Sequence, residues 1–345
     1  MTSRRGGHPM ARIDLSRRDL LRAGGLAAAA APVAALGTKV WAQGAPAQPV
    51  PVKLAWNATA ICLSPIPVAV TQGIFQKHNL DVELINFAGS TDQLLEAIAT
   101  GKADAGIGMV HRWLKALEQG FDVKLTASSH GGCSRLVGSQ AAGVTTLESL
   151  RGKTVGVSDL ASPGKNFFAI YLTKHGIDPE QEITWRQYPA NLLGLAVQKG
   201  EIQAIADGDP NLFLLQKTQP DLVEIATNLS GEYREKVCCV LGIRGSLIQD
   251  DRPTAAALSR AILEASDWVV QHPEATAEIC TSMSTASAAD LTAVLRTLTH
   301  GHHPAGLELR NEIKAYAEDL KLVKVLRSST DPALFAETVT EDVLS

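Results

Sequence analysis

The chain has 345 residues, of which 45% are hydrophobic, 5% aromatic and 20% charged, with a formal net charge of −4. This length exceeds the ~250–300 residues that one core usually fills, and the apolar content suits packed domains, so general disorder is excluded. Sixteen prolines and 28 glycines exclude collagen-like and low-complexity chains, and there is no broad basic footprint for nucleic acid.

Residues 1–42 carry seven basic and two acidic side chains, with an Ala-rich apolar run over 23–37. Fifteen apolar residues fall short of the ~20 a spanning helix needs. A charged start, a short apolar run and a small-residue exit at Val40-Trp41-Ala42 form a secretory signal. Ser16-Arg17-Arg18-Asp19-Leu20-Leu21-Arg22 resembles a twin-arginine export signal, so the twin-arginine machinery is an expected partner. Without residues 1–42, about 303 residues remain, with 25 basic and 34 acidic side chains and a charge of −9.

Residues 43–51 read as a linker rich in Pro and Ala. Beyond them, strands are expected over 52–56, 81–87, 103–109 and 123–128, alternating with helices over 65–78, 91–100 and 111–119. Ser90 or Thr91 caps the second of these helices. The pattern restarts after Gly143. Strands over 154–158, 183–188, 204–206 and 222–226 alternate with helices over 165–175, 192–199 and 210–217. A strand over 238–243 then gives way to helices over 254–271, 273–282, 288–298 and 307–322. Such alternation predicts parallel α/β units. Gly101-Lys102-Ala103-Asp104-Ala105 and Gly200-Glu201-Ile202-Gln203-Ala204 each follow an amphipathic helix and open an apolar strand, which points to two similar lobes.

Three stretches carry a family resemblance: Leu94-Leu95-Glu96-Ala97-Ile98-Ala99-Thr100-Gly101-Lys102-Ala103-Asp104-Ala105-Gly106-Ile107-Gly108-Met109, the strand over 82–87, and Leu147-Glu148-Ser149-Leu150-Arg151-Gly152-Lys153-Thr154-Val155-Gly156-Val157. They resemble the nitrate/sulfonate/taurine and thiamine-precursor group of periplasmic binding proteins, which includes relatives of the thiamine-pyrimidine synthases. The resemblance implies an α/β type II binding protein of two lobes, each a mostly parallel sheet flanked by helices, joined by two crossover strands. Lobe 1 would be residues 52–138 and 238–345, and lobe 2 residues 139–237. It further implies a periplasmic monomer that binds a small polar, nitrogen- or sulfur-containing organic ligand between the lobes. Such a protein serves an ABC permease and its ATPase, with no catalysis and no cofactor. The alternative it leaves open is a cofactor- or metal-dependent enzyme akin to the thiamine-pyrimidine synthases.

Motifs for hydrolysis are missing. There is no G-x-S-x-G elbow, no C-x-x-C and no H-E-x-x-H, and Leu147 stands where a phosphate loop before Gly152-Lys153-Thr154 would need glycine. Binding by strand-end loops is better supported, because ligands of open α/β sheets lie beyond the strands' carboxyl ends, against the unpaired amides of helix N-termini. The candidates are Asn57, Thr59, Ser90, Thr91, Gly108, Met109 and His130 in the first lobe, and Ser158, Ser162, Asn191, Asp207 and Asp209 in the second. With Asp159, Asp207 and Asp209 in these loops and only Lys165 as a nearby base, a neutral or amine-bearing ligand, pyrimidine-like for example, is expected over an anion.

The five cysteines are Cys62, Cys133, Cys238, Cys239 and Cys280. Cys133 begins the first implied crossover and Cys238-Cys239 lies on the second. Because strand side chains alternate, only one of the adjacent pair is expected to face Cys133. Three readings stand open: buried thiols, a hinge disulfide, or a metal site using His130, Cys133 and one of Cys238 or Cys239. His300, His302 and His303 read as a solvated loop, and Trp56 and Trp113 as core or pocket-wall aromatics.

Overall fold

The structure is a computed structural model that describes residues 48–298 and 301–345. The export signal, most of the linker and His300 therefore lie outside the described residues. In chain order the elements are β1 (Val50–Trp56), α1 (Pro65–Thr71), α2 (Ile74–Lys77), β2 (Leu80–Asn86), α3 (Thr91–Ala99), β3 (Ala105–Met109), α4 (Leu114–Glu118), β4 (Val123–His130) and β5 (Ser134–Ser139). There follow β6 (Lys153–Val157), α5 (Pro163–Lys174), β7 (Ile183–Gln187), α6 (Leu193–Gln198), β8 (Ala204–Gly208), α7 (Asn211–Thr218), β9 (Leu222–Thr227) and β10 (Cys239–Arg244). The chain ends in α8 (Gly245–Asp250), α9 (Arg252–Gln271), α10 (Pro273–Cys280), α11 (Ala288–Leu298), α12 (Gly306–Leu322) and α13 (Pro332–Val339).

Two five-stranded sheets form, in the orders β2-β1-β3-β10-β4 and β7-β6-β8-β5-β9. In the first, β1 is parallel to β2 and β3, while β10 is antiparallel to both β3 and β4. In the second, β6 is parallel to β7 and β8, while β5 is antiparallel to both β8 and β9. Each sheet is thus mixed, with the strand arriving from the other sheet running against its neighbours. β5 pairs within the second sheet, so the chain crosses at Gly131–Cys133, a few residues before the division expected at residue 138. It returns to the first sheet between Thr227 and Cys239.

The repeated pentapeptide marks equivalent corners of the two sheets. Gly101 and Gly200 both adopt φ of 71°, a left-handed turn that glycine makes without strain. Three residues later, an Asp104 carboxylate oxygen accepts the Lys53 N–H at 2.9 Å, and the Gln203 side-chain oxygen accepts the Thr154 N–H at 3.0 Å. Both side chains therefore tie the incoming strand, β3 or β8, to its parallel neighbour, β1 or β6.

Local chemistry accounts for the departures from expectation. The helix expected over 65–78 breaks at Gly73, whose φ of 67° starts a separate short helix. The helix expected from His111 opens as a 3-10 turn, Val110–Arg112, before α4. Trp56 and Trp113 are both core residues, and Trp113 packs where Gly106 and Gly242 leave no side chain. The His302 ring bonds the Glu312 carboxylate at 2.9 Å, so this loop is anchored to α12 and is not simply solvated. Among the described residues no helix is long and apolar enough to cross a membrane.

Candidate functional site

Strand-end loops of both sheets converge on a cleft of about 560 Å³. From the first sheet, β1 ends at Asn57, whose side-chain oxygen accepts from the Thr59 N–H at 3.3 Å and the Thr59 hydroxyl at 3.1 Å. β2 ends at Asn86, whose side chain accepts the Ala58 and Ala88 N–H groups and fixes the loop carrying Gly89 and Ser90. Ser90 caps α3 by accepting the Gln93 N–H at 3.3 Å. β3 delivers Gly108 and Met109 to the same wall.

From the second sheet, Ser158 follows β6 and donates its hydroxyl to Asp207 at the end of β8, at 3.0 Å. Ser162 caps α5 by accepting the Lys165 N–H at 3.1 Å, so the start of this helix faces the cleft with its partial positive charge. Burial pushes Asp207 above the ordinary carboxylate range, against the opposing pull of the Gly208 N–H, the Ser158 hydroxyl and the Arg112 charge. Burial also raises Asp209, to about 6, although the Arg135 guanidinium bonds it at 2.7 Å.

Of the residues expected at the site, Asn57, Thr59, Ser90, Gly108, Met109, Ser158, Ser162, Asp207 and Asp209 line this cleft. Thr91 stands behind it, and Asn191 is exposed and outside the lining, where Ala190 and Asn211 take the wall instead. His130 closes β4, and its side chain lies outside what the structure describes.

Arg112 is the residue that sequence reading passed over. It lines the cleft, stacks 5.6 Å over the Phe87 ring and donates to the Thr91 hydroxyl at 2.7 Å. Among the described residues no carboxylate forms an ion pair with it. Burial lowers its pKa, opposed by the neighbouring cysteines and Asp159. The signal was available, since Arg112 lies three residues past the end of β3, but a regular helix from His111 would have scattered this turn around a helix surface. Lys165, by contrast, sits over the Trp185 ring at 5.7 Å and is not among the lining residues. The expectation that Lys165 is the only base near the cleft is therefore corrected: Arg112 lines it instead. One of the cleft's acidic residues, Asp209, already pairs with Arg135, and a guanidinium with no ion-pair partner among the described residues lines the space.

Below these groups the two crossings between the sheets pass one another. The Asn228 side-chain oxygen accepts the N–H groups of Cys133 and Ser134, each at 2.9 Å, and its amide donates to the Cys238 sulfur at 3.3 Å. Gly132 permits this approach, because a Cβ there would fall 2.7 Å from Leu229. The Cys133 and Cys238 sulfurs lie 3.4 Å apart, beyond the ~2.05 Å of a disulfide bond. Cys239 also faces Cys133, so the expectation that only one of the adjacent pair could do so is overturned. Cys238 precedes β10, where strand alternation does not govern the side chain, and the register shifts at Cys239/Val240. Nearby, His111 is buried against Phe167 and Tyr316, which pushes its imidazole down to about 3 and keeps it neutral.

Comparison with known proteins agrees with this architecture. A protein of Brucella abortus (strain 2308), named only provisionally as a binding protein, is 26% identical over 232 residues, 67% of this chain and 70% of that one. The periplasmic aliphatic sulphonate binding protein SsuA from Escherichia coli superposes with a TM-score of 0.70 at 14% identity, covering 85% of this chain and 92% of that one. The periplasmic nitrate-binding protein NrtA from Synechocystis PCC 6803 gives 0.70 at 15% identity, over 86% and 87% of the two chains. At such identities these structures establish the shared two-sheet fold. The NMT1/THI5-like family model matches residues 62–276, spanning both sheets and both crossings, and the chain belongs to that family.

Proposed function

We propose that this protein is the solute-binding component of an ABC-type importer. Exported to the periplasm under its twin-arginine signal, which is then removed, it captures a small polar, nitrogen- or sulfur-containing organic ligand in the cleft. It delivers the ligand as a monomer to a membrane permease driven by its ATPase, without catalysis and without a cofactor. The observation that carries this reading is the cleft itself: both sheets contribute strand-end loops to one space, so a ligand there touches both lobes at once. Closure would be a hinge motion about the crossings clamped by Asn228. The names of the relatives and structural neighbours, which are binding proteins, favour this reading over a metal-dependent enzyme.

The charges of the cleft narrow the ligand further. Arg112, with the starts of α3 and α5, favours an acidic or hydrogen-bond-accepting group. Asp207 and Asp159 in the same lining favour N–H donors. A compound bearing both, such as an amino-sulfonate, complements both kinds of group, and a simple anion satisfies only one. Isothermal titration of the mature protein with taurine, ethanesulfonate, nitrate and 4-aminopyrimidine tests the reading. Taurine-like compounds should bind tightest. Ethanesulfonate equalling taurine would remove the role of the acidic groups, and failure of every small polar solute to bind would sink the import reading.

A further inference from the structure

Four of the five cysteines meet at the crossings, although they come from three separate stretches of chain. Cys62 sits in the 3-10 turn Ile61–Leu63 after β1, Cys133 on the outward crossing, and Cys238 and Cys239 on the return. The sulfurs of Cys62, Cys133 and Cys239 all lie within 4.8 Å of one another, and all three residues line the cleft. Cys238 does not line it; its sulfur stands 3.4 Å from that of Cys133 and 3.9 Å from that of Cys239.

Two thiolates on one zinc-like ion, each bonded at ~2.3 Å, lie ~3.8 Å apart in tetrahedral geometry and never more than ~4.6 Å apart. The triangle needs about an ångström of closing at most, which side-chain rotation supplies. Its chemistry is soft, which selects thiophilic ions over magnesium or calcium. Charge allows it: three thiolates and one divalent ion leave a single negative charge, which the Arg112 guanidinium lining the same cleft offsets.

We propose that Cys62, Cys133 and Cys239 hold one divalent thiophilic cation of the zinc type at the wall of the cleft, with Cys238 behind the triad. Binding replaces three S–H bonds by three S–metal bonds and releases three protons, with no change of oxidation state. The triad leaves one tetrahedral position for a group from the cleft, which is the arrangement of open zinc sites. The inference stands apart from the import reading, since metal uptake and solute binding are read by separate titrations.

The test uses the mature protein prepared under reducing, anaerobic conditions. It is titrated with zinc sulfate against a chromophoric chelator, and separately with cobalt(II), whose visible and sulfur charge-transfer bands report tetrahedral thiolate ligation. One equivalent should bind. Cys133→Ser and Cys239→Ser should each weaken binding by about 100-fold or more, since even partners outside the coordination sphere cost 10–100-fold. Cys280→Ser, on α10 away from the cluster, should bind as the unsubstituted chain does. Circular dichroism of each variant shows that it is folded, so that lost cobalt binding reports the missing ligand. The proposal is overturned by zinc uptake well below one equivalent, by a cobalt spectrum lacking sulfur charge transfer, or by a Cys133–Cys238 disulfide in the unreduced protein that excludes zinc.

Discussion

Arg112 donates to the hydroxyl of Thr91 at 2.7 Å, and this bond aims a guanidinium with no ion-pair partner among the described residues into the cleft. The Phe87 face beneath it holds the planar group without neutralising it. A ligand with an acidic or accepting group gains a charge-assisted hydrogen bond there, of the kind that contributes ~1.5–3 kcal/mol. Arg112→Ala should therefore weaken binding of a taurine-like probe by about 10- to 100-fold in isothermal titration. Thr91→Val, which frees the guanidinium but keeps its charge, should cost less. Equal binding by wild type and Arg112→Ala would remove Arg112 from the site.

How far the sequence reaches toward this site depends on what each residue needs from the fold. Asn57, Ser90, Ser158, Ser162 and Asp207 are small polar residues directly after apolar strands, so the general rule for open α/β sheets locates them. Arg112 escaped because only tertiary packing decides that its turn is 3-10 and that its side chain points inward. β5 escaped because Gly131-Gly132-Cys133 reads as a loop, and the following strand, buried throughout, shows no alternation to announce it. Asn228 escaped for a stronger reason. Its three hydrogen-bond partners lie on the other crossing or ten residues away in sequence, and nothing local marks it.

Asn228 makes a correspondingly sharp prediction. Replacing it with alanine leaves two buried N–H donors, at Cys133 and Ser134, without the oxygen they share. Each such loss costs ~1–3 kcal/mol when water cannot replace it. Asn228→Ala should lower stability in urea denaturation by at least ~2 kcal/mol, and Asn228→Asp, which keeps an accepting oxygen, should lose less. A variant as stable as the wild type would show that the crossings are held by other contacts.

The repeated corners allow a comparison within one chain. Asp104 accepts the Lys53 N–H and also pairs with Arg244 at 2.8 Å, whereas Gln203 accepts the Thr154 N–H and donates to the Gly200 carbonyl at 3.0 Å. Both side chains close the turn onto the parallel neighbouring strand, β1 or β6, but only Asp104 also holds a return strand, β10. Asp104→Ala should cost more than Gln203→Ala, by about 1 kcal/mol, because a partly buried ion pair is lost with the amide bond. Chemical denaturation of the two variants measures this directly. The reverse order would mean that the Arg244 pair contributes nothing.

Asp209 and Arg135 give the fold a pH dependence whose sign is fixed. Asp209 is buried on the cleft wall, bonded by the Arg135 Nε at 2.7 Å and accepting the Phe213 N–H at 3.1 Å, while Arg135 also pairs with Glu224. Burial outweighs these partners and raises the folded-state value to about 6, from an ordinary 3.8. The folded protein therefore takes up a proton here before the unfolded chain does. This group's contribution to stability is fully present below pH ~4 and is lost as pH rises through ~6, over a range of about 3 kcal/mol. Comparing wild type with Asp209→Asn isolates it. The wild type should gain on the variant as pH falls from 7 to 4, and the difference should be flat above pH 7. Arg135→Ala leaves the carboxylate buried without its counter-charge, so it should destabilise by ~3–5 kcal/mol at pH 7.5 and by much less at pH 4.5, where the carboxyl is protonated. A destabilisation of equal size at the two pH values would show that Arg135 acts through packing on Phe213 and not through charge.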